Sequence, residues 1–302
     1  VLLTLDLYRS TTSNLLADVT LAPSLGFSSY KDNIGETRND GLDLSARVMA
    51  IRKPEQGIFW NINASLSSNR NKILHISNAM RERNEKIIAD AVENEVNTPL
   101  LLYIEGRSLS SINAVRSLGI DPATGKELFL TKDNEVTDVW NAMDQVPVGD
   151  TRPKAEGILG TTFTWKDLIF SVNFRYKLGG QIYNQTLVDK VENADIYGNV
   201  DRRVYEKRWM EPGDITFFKD VKNKEKTYQT SRFVQDENVF SCESASLSYD
   251  LKSPKVLRTI GAERLRFTAY INDIFRLSTV RQERGTSYPF ANRIAFSINA
   301  TF

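Results

Sequence analysis

His75 and Cys242 are the only histidine and the only cysteine among 302 residues. Chemistry built on these side chains needs partners. A histidine-activated nucleophile needs base and nucleophile within hydrogen-bond reach, and zinc needs three or four ligands. His75 lies in Ile73-Leu74-His75-Ile76, where a solvated or packed imidazole is the simpler reading. Cys242 reads as a small strand residue facing a lumen or a neighbouring loop. Gly119 to Lys126 resembles a phosphate loop only superficially. Its glycine spacing is one residue too long, and Glu127 stands where Ser or Thr would bind magnesium. Asp121, Asp133, Glu135 and Asp138 would serve acid–base or calcium chemistry only if folding gathered them, and scattered solvated carboxylates are the simpler account. No metal, cofactor or enzymatic activity is expected.

The more informative residues are aromatic. Tyr103, Trp140, Tyr183, Tyr197, Tyr205 and Trp209 fall in long segments without strand periodicity. Aromatic faces there would stack on the C–H faces of sugars or take peptide side chains. They would equally well pack the segments together. Trp60, Trp165, Tyr176 and Tyr249 sit instead within alternating stretches. Amphipathic rings at such positions suit the interfacial girdles of a membrane barrel.

Alternation dominates the rest of the chain. Ile294, Phe296, Ile298, Ala300 and Phe302 oppose Arg293, Ala295, Ser297, Asn299 and Thr301. The same period of two runs from Val1 to Tyr8, Leu42 to Ala50, Ile58 to Leu66, Leu159 to Trp165, Phe170 to Leu178, Ser244 to Leu251 and Leu265 to Asn272. This predicts about eight strands, each long enough to cross a bilayer when tilted. Their connections alternate long and short. Residues 10–34, 68–152 and 179–237 are long, whereas 51–56 and Lys166-Asp167 are short. Soluble sandwiches rarely carry structureless loops of such length. Outer-membrane barrels place long loops outside and tight turns on the periplasmic side. Within the longest segment, Met80, Ile87, Ile88, Ala91 and Val92 recur at helical spacing and predict a helix over 81–93.

Composition is compatible with this. Mean hydropathy is −0.36, and no apolar run reaches eighteen residues, which excludes helical spans. A barrel survives that test because only alternate residues face lipid. The formal net charge of +1 gives no electrostatic case for nucleic-acid binding. The amino end has no basic region or cleavage site and already alternates, so an upstream segment is expected.

Several motifs occur in one order. They are Asn33-Ile34-Gly35 with Asn39, Gly41 and Asp43; Gly119 to Gly125; Gly149-Asp150-Thr151-Arg152-Pro153-Lys154; and Tyr176 to Gly180 with Gln181-Ile182-Tyr183-Asn184. Arg208-Trp209 with Pro212-Gly213-Asp214, Ser231-Arg232-Phe233-Val234, Ser246 to Tyr249, Asn272 to Phe275 and terminal Phe302 follow. In this series the chain resembles the carboxyl-terminal third of a SusC/RagA-type TonB-dependent outer-membrane transporter (Asp43 replaces the usual Glu). The resemblance implies an all-β fold, the last eight or so strands of a twenty-two-stranded transmembrane antiparallel barrel with long extracellular loops. Residues 1–302 would then be one part of the barrel, with the plug domain and first strands upstream. The implied function is TonB-dependent import of a bulky nutrient, a glycan fragment first and a peptide second. The implied partners are a SusD-like surface lipoprotein, outer-membrane lipid and, through the upstream part, TonB–ExbB–ExbD. Phe302, Ile298, Phe296 and Ile294 would form the barrel-assembly signal. Two other classes compete: a self-contained eight-stranded outer-membrane barrel acting as adhesin or enzyme, and a soluble all-β carbohydrate-binding module.

Overall fold

The computed structural model describes residues 1–20, 29–93, 98–281 and 293–302, with side chains described outside 16–34. The described strands are β1 (Leu2–Thr20), β2 (Ser29–Lys53), β3 (Ile58–Ile76), β4 (Ser111–Ile120), β5 (Glu127–Leu130), β6 (Val136–Thr137), β7 (Gln145–Asp150), β8 (Ala155–Trp165), β9 (Leu168–Tyr183), β10 (Val234–Leu251), β11 (Arg264–Ser278) and β12 (Arg293–Thr301). Eight of them form one antiparallel sheet in the order β1-β2-β3-β8-β9-β10-β11-β12. A second, four-stranded sheet, β6-β5-β4-β7, lies in the insertion between β3 and β8.

Register converts the period-two pattern into continuous rows. One row runs Ile51, Trp60, Phe163, Phe170, Leu247, Ala269, Phe296 from β2 to β12. The next runs Val48, Ile62, Thr161, Val172, Ala245, Ile271, Ile294. A third runs Ile58, Trp165, Leu168, Tyr249, Phe267, Ile298. On the opposite face lie Asn61, Thr162, Ser171, Ser246, Tyr270, Ala295 and Asn63, Gly160, Asn173, Ser244, Asn272, Arg293. These polar side chains bond across strands: Thr162 to Ser171 at 3.2 Å, Asn173 to Ser244 at 3.1 Å, Ser248 to Thr268 at 2.9 Å. Gly160 leaves room for two flanking amides, since a Cβ there would meet Asn63 at 2.5 Å and Asn173 at 2.8 Å.

Among the described residues nothing stacks on the apolar face. Phe170 is 44% exposed, Leu247 49% and Phe296 79%. Val172 is buried and lies between Thr161 and Ala245 in its row. Along β2 the apolar run from Leu42 to Ile51 is nine steps. At about 3.3 Å each and a tilt of about 40° it rises ~23 Å, close to the apolar band of an outer-membrane barrel. β1 and β12 are the two outer strands of the sheet and do not pair with each other among the described residues. The eight strands are therefore an arc of wall, not a self-closed eight-stranded barrel.

The connections alternate as expected. β2–β3, β8–β9 and β10–β11 turn at one end; the longer connections leave from the other. The short turns are tied together: the Lys166 N–H donates to the Gly57 carbonyl at 2.7 Å, and the Asp250 N–H to the Asp167 carbonyl at 2.9 Å. Gly57 and Lys166 both take positive φ, +67° and +53°, which tight reversals require. A short helix, Pro254–Ile260, fills the third turn.

Three expectations need correction. Residues 10–20 and 29–34 are strand: β1 runs to Thr20 and β2 begins at Ser29. Backbone pairing carries this hairpin past the belt, where Ser10, Thr11, Thr12 and Ser13 give no alternation to read. The longest insertion, for which the sequence predicts one helix and a compact turn, holds the second sheet as well as α1 (Asn78–Glu93). Cys242 does not face the lumen. It pairs with Phe174 and Phe275 in an apolar row, because a bulge between Cys242 and Ser244 shifts the parity of β10.

Candidate functional site

The large sheet holds little buried core. The hydrophobic clusters lie at its long-loop end, where the two big insertions meet. One gathers Leu187, Val188, Val191, Val204, Phe218 and Phe233. Another gathers Ala91, Leu100, Leu102 and Ala142 beneath Trp140, and a third Ile73, Ile76 and Met80 beside Tyr103. Each Val, Leu, Ile, Phe or Met side chain among them contributes about 1.5–3 kcal/mol by leaving water, which holds the long insertions together.

Charge fixes how the insertions dock. The Arg232 guanidinium reaches Glu127 at 2.7 Å and Glu192 at 2.9 Å, and lies 4.4 Å from the Phe233 ring centroid. All three charged side chains are nearly or fully buried. Burial alone would lower the Arg232 pKa, but the two carboxylates outweigh it and hold the group charged well above its ordinary value. Glu127 also accepts from Ser117 at 2.6 Å and Thr230 at 2.8 Å. Arg208 lies over Phe218 and donates to the carbonyls of Val191, Val204, Glu192 and Lys219. β4, β5 and the segment before β10 are thereby clamped together. Sequence reasoning missed Glu127 and Glu192, since their partner lies 105 and 40 positions away.

The motif residues are the fittings of this assembly. Asp121 accepts the Ala123 N–H at 3.0 Å and the Thr124 hydroxyl at 2.6 Å, forming a compact turn. Trp209 lies over Gly125, where a Cβ would come within 2.7 Å of the indole, and its Nε1–H donates to the Pro122 carbonyl at 2.9 Å. Asp214 accepts the N–H groups of Met210 and Glu211.

The candidate aromatics divide accordingly. Tyr103 packs on the third cluster with Arg83 5.7 Å from its ring centroid. Tyr183 meets Phe233 edge-on at 6.1 Å, and Trp209 covers the turn. Tyr197 and Tyr205 project outward, 94% and 61% exposed. Trp140 stacks on Tyr228 at 4.5 Å and lines a cavity of about 490 Å³ with Tyr228, Lys126, Asp138, Lys219 and Glu225. Lys126 pairs with Asp138 there at 2.9 Å, so this carboxylate is committed to an ammonium. Among the described residues, no three His, Cys, Asp or Glu side chains converge to hold a metal ion.

On the sheet, Trp165 and Tyr249 share one row near the short turns, with Trp60 in the next. Tyr176 stands at the opposite end of the belt, over Gly157, and its hydroxyl donates to the Ser65 carbonyl at 2.8 Å. Ile294, Phe296, Ile298 and Phe302 are exposed on β12 and at its end.

No protein-family model matches the chain. Across 89% of its length it is 23% identical to TonB-dependent receptor P39 of Formosa agariphila, and across 60% it is 27% identical to TonB-dependent receptor P26 of that organism. It overlays the RagAB peptide importer in its open-open state with a TM-score of 0.71 at 18% identity, over 99% of this chain. The RagAB peptide transporter gives 0.69 at 17% identity, over 92%. The chain has the fold of a SusC/RagA-type TonB-dependent transporter barrel. The chain spans 29% and 19% of the two curated relatives, and 32% and 30% of the two solved chains.

Proposed function

We propose that residues 1–302 are the carboxyl-terminal part of a TonB-dependent importer of the outer membrane, with a plug domain and earlier strands upstream. The single observation that carries this reading is the set of apolar rows running across the sheet, uncovered on one face and backed by hydrogen-bonded polar rows on the other. In this reading no substrate bond is made or broken. The chain supplies wall and outer loops, a SusD-like lipoprotein closes over the loops, and TonB–ExbB–ExbD pulls on the plug.

The cargo we favour is a glycan fragment. The exposed rings of Tyr197 and Tyr205, and the cavity beside the Trp140–Tyr228 stack, suit sugar faces flanked by hydroxyls. A peptide is the second reading, favoured by the fold shared with a peptide importer. Uptake of labelled oligosaccharides and of labelled peptides by cells with and without the gene tests the choice. Loss of oligosaccharide uptake alone is expected; loss of peptide uptake alone sinks the glycan reading. In the same assay Tyr197→Ala/Tyr205→Ala is expected to lower uptake three- to tenfold, about the value of one or two stacking contacts. Uptake at the parent rate would remove both rings from the site.

We assign Phe302, Phe296, Ile298 and Ile294 to assembly. A regular apolar face on an outer strand suits templated strand addition. Deleting Phe302 is expected to reduce the heat-modifiable protein in outer-membrane fractions severalfold. Parent levels of the truncated protein would refute the assignment.

A further inference from the structure

The wall has a gap at its outer end. β3 pairs with β8 only as far as Ser67 opposite Glu156, since β8 begins at Ala155. Beyond that point β3 continues to Ile76 and β9 to Tyr183 with no strand of the large sheet between them. Two neighbouring ladders would place them about 9.6 Å apart. Residues 106–111 and 147–154 bridge the space: Ile73 exchanges backbone bonds with Gly106 and Arg107 at 2.8 Å, and the Lys154 N–H donates to the Leu178 carbonyl at 2.9 Å. Ser68 donates to the Lys154 carbonyl at 2.7 Å, Arg152 to the Asn69 side chain, and the Leu109 N–H to Asn71 at 3.0 Å. A cavity of about 770 Å³ remains among them.

Three glycines and two prolines apart, its lining residues are polar or charged. Arg70, Lys72, Arg107, Arg152 and Lys154 are its cations, against Asp150 and Asp236. Both acids are already engaged. Asp150 accepts from Ser110 at 2.6 Å and from the Arg152 N–H at 2.9 Å, and Asp236 accepts from Gln181 at 2.9 Å. Among the described residues, none of Arg70, Lys72, Arg107 and Lys154 is in an ion pair.

Register fixes the height of these cations. Leu7, Leu42 and Ser68 form the last row of the belt. One step further on the same face come Arg9, Asp40 and Arg70, then Arg38 beside Lys72. The lone carboxylate of that patch, Asp40, is held by Arg9 and Arg38. Asn238 lines both this cavity and an apolar groove of about 500 Å³ formed by Leu159, Tyr176, Leu178, Phe240 and Leu277. A cationic, amide-rich chamber therefore adjoins a greasy channel at the level where headgroups meet acyl chains.

We propose that this gap binds a lipid with a phosphorylated sugar headgroup: phosphate on Arg70 and Lys72, sugar hydroxyls on the amides and serines, one acyl chain in the groove. Charge complementarity chooses the phosphate, and continuity with the groove chooses a lipid over a soluble anion. The proposal rests on the membrane-wall reading.

The test uses the full-length protein carrying this chain, purified from outer membranes in detergent, with binding read by native mass spectrometry. The probes are bisphosphorylated lipid A and the same lipid stripped of phosphate. The parent protein is expected to hold one equivalent of the first at least tenfold more tightly than the second. Arg70→Gln/Lys72→Gln should lose that preference by a similar factor, since each cation near a membrane surface is worth about a fivefold gain. Arg70→Lys/Lys72→Arg should retain it. Equal binding of both lipids by the parent, or an unchanged preference in the Gln variant, overturns the proposal. So does full displacement of the lipid by millimolar inorganic phosphate, which would make the site one for a free anion. Heat-modifiability in the same samples separates the two readings. A parent protein that lacks it sinks the wall itself, whereas a heat-modifiable protein indifferent to lipid phosphate sinks only the lipid site.

Discussion

Leu247→Arg is expected to deplete folded protein from the outer membrane, while Ser246→Arg, one residue away, leaves it near the parent level. Leu247 lies between Phe170 and Ala269 on the uncovered face; Ser246 lies between Ser171 and Tyr270 on the polar one. Arginine on the lipid face of a barrel costs on the order of 2 kcal/mol, most at mid-belt, whereas a lumen position is wet. The contrast discriminates sharply because Leu247 is already 49% exposed. In a soluble module a half-exposed leucine would accept arginine within about half a kcal/mol. Only hydrocarbon around that side chain makes the substitution harmful. The measurement is the fraction of heat-modifiable protein in outer-membrane fractions of the two variants, and equal recovery would refute the wall.

What could be read from the sequence follows from where the structure's information lies. The sheet is local: a period of two names the face of every belt residue, and neighbouring segments pair as hairpins, so the rows were implicit in the chain. Parity fails only where a bulge intervenes, as between Cys242 and Ser244, and there the sidedness of Cys242 was misread. The part of β1 and β2 past the apolar rows was invisible for another reason. In the membrane-wall reading both of its faces meet water, so no alternation is imposed on Ser10 to Ser13. The loop assembly is non-local. β5 and β6 have four and two residues, too short for any periodicity. Glu127 drew notice only as a mismatch to a phosphate loop, yet it is one of two carboxylates that hold Arg232. The motifs marked the right places without disclosing their work, which is to build turns and stack rings.

The second large effect is expected at Arg232. Arg232→Ala should loosen both insertions, exposing residues 117–130 and 184–233 to protease, while the sheet stays folded and heat-modifiable. Removing the cation leaves Glu192, with a fully buried side chain, and Glu127, only 11% exposed, without the guanidinium that bridges them. Stranding buried charge in this way costs about 3–5 kcal/mol, comparable to the whole stability margin of a small domain. The stacks on Phe233 and Phe217 would vanish too. Arg232→Lys should recover part of the loss, because an ammonium restores charge but not the fork that spans two carboxylates. The decisive comparison is Arg232→Met with Arg232→Met/Glu192→Gln. The stem volume is the same in both, so the double variant, with one buried carboxylate neutralised, should resist proteolysis better than Arg232→Met. If the double variant is cleaved as fast as the single one, packing and not charge holds the loops, and the account of Arg232 as their electrostatic clamp fails.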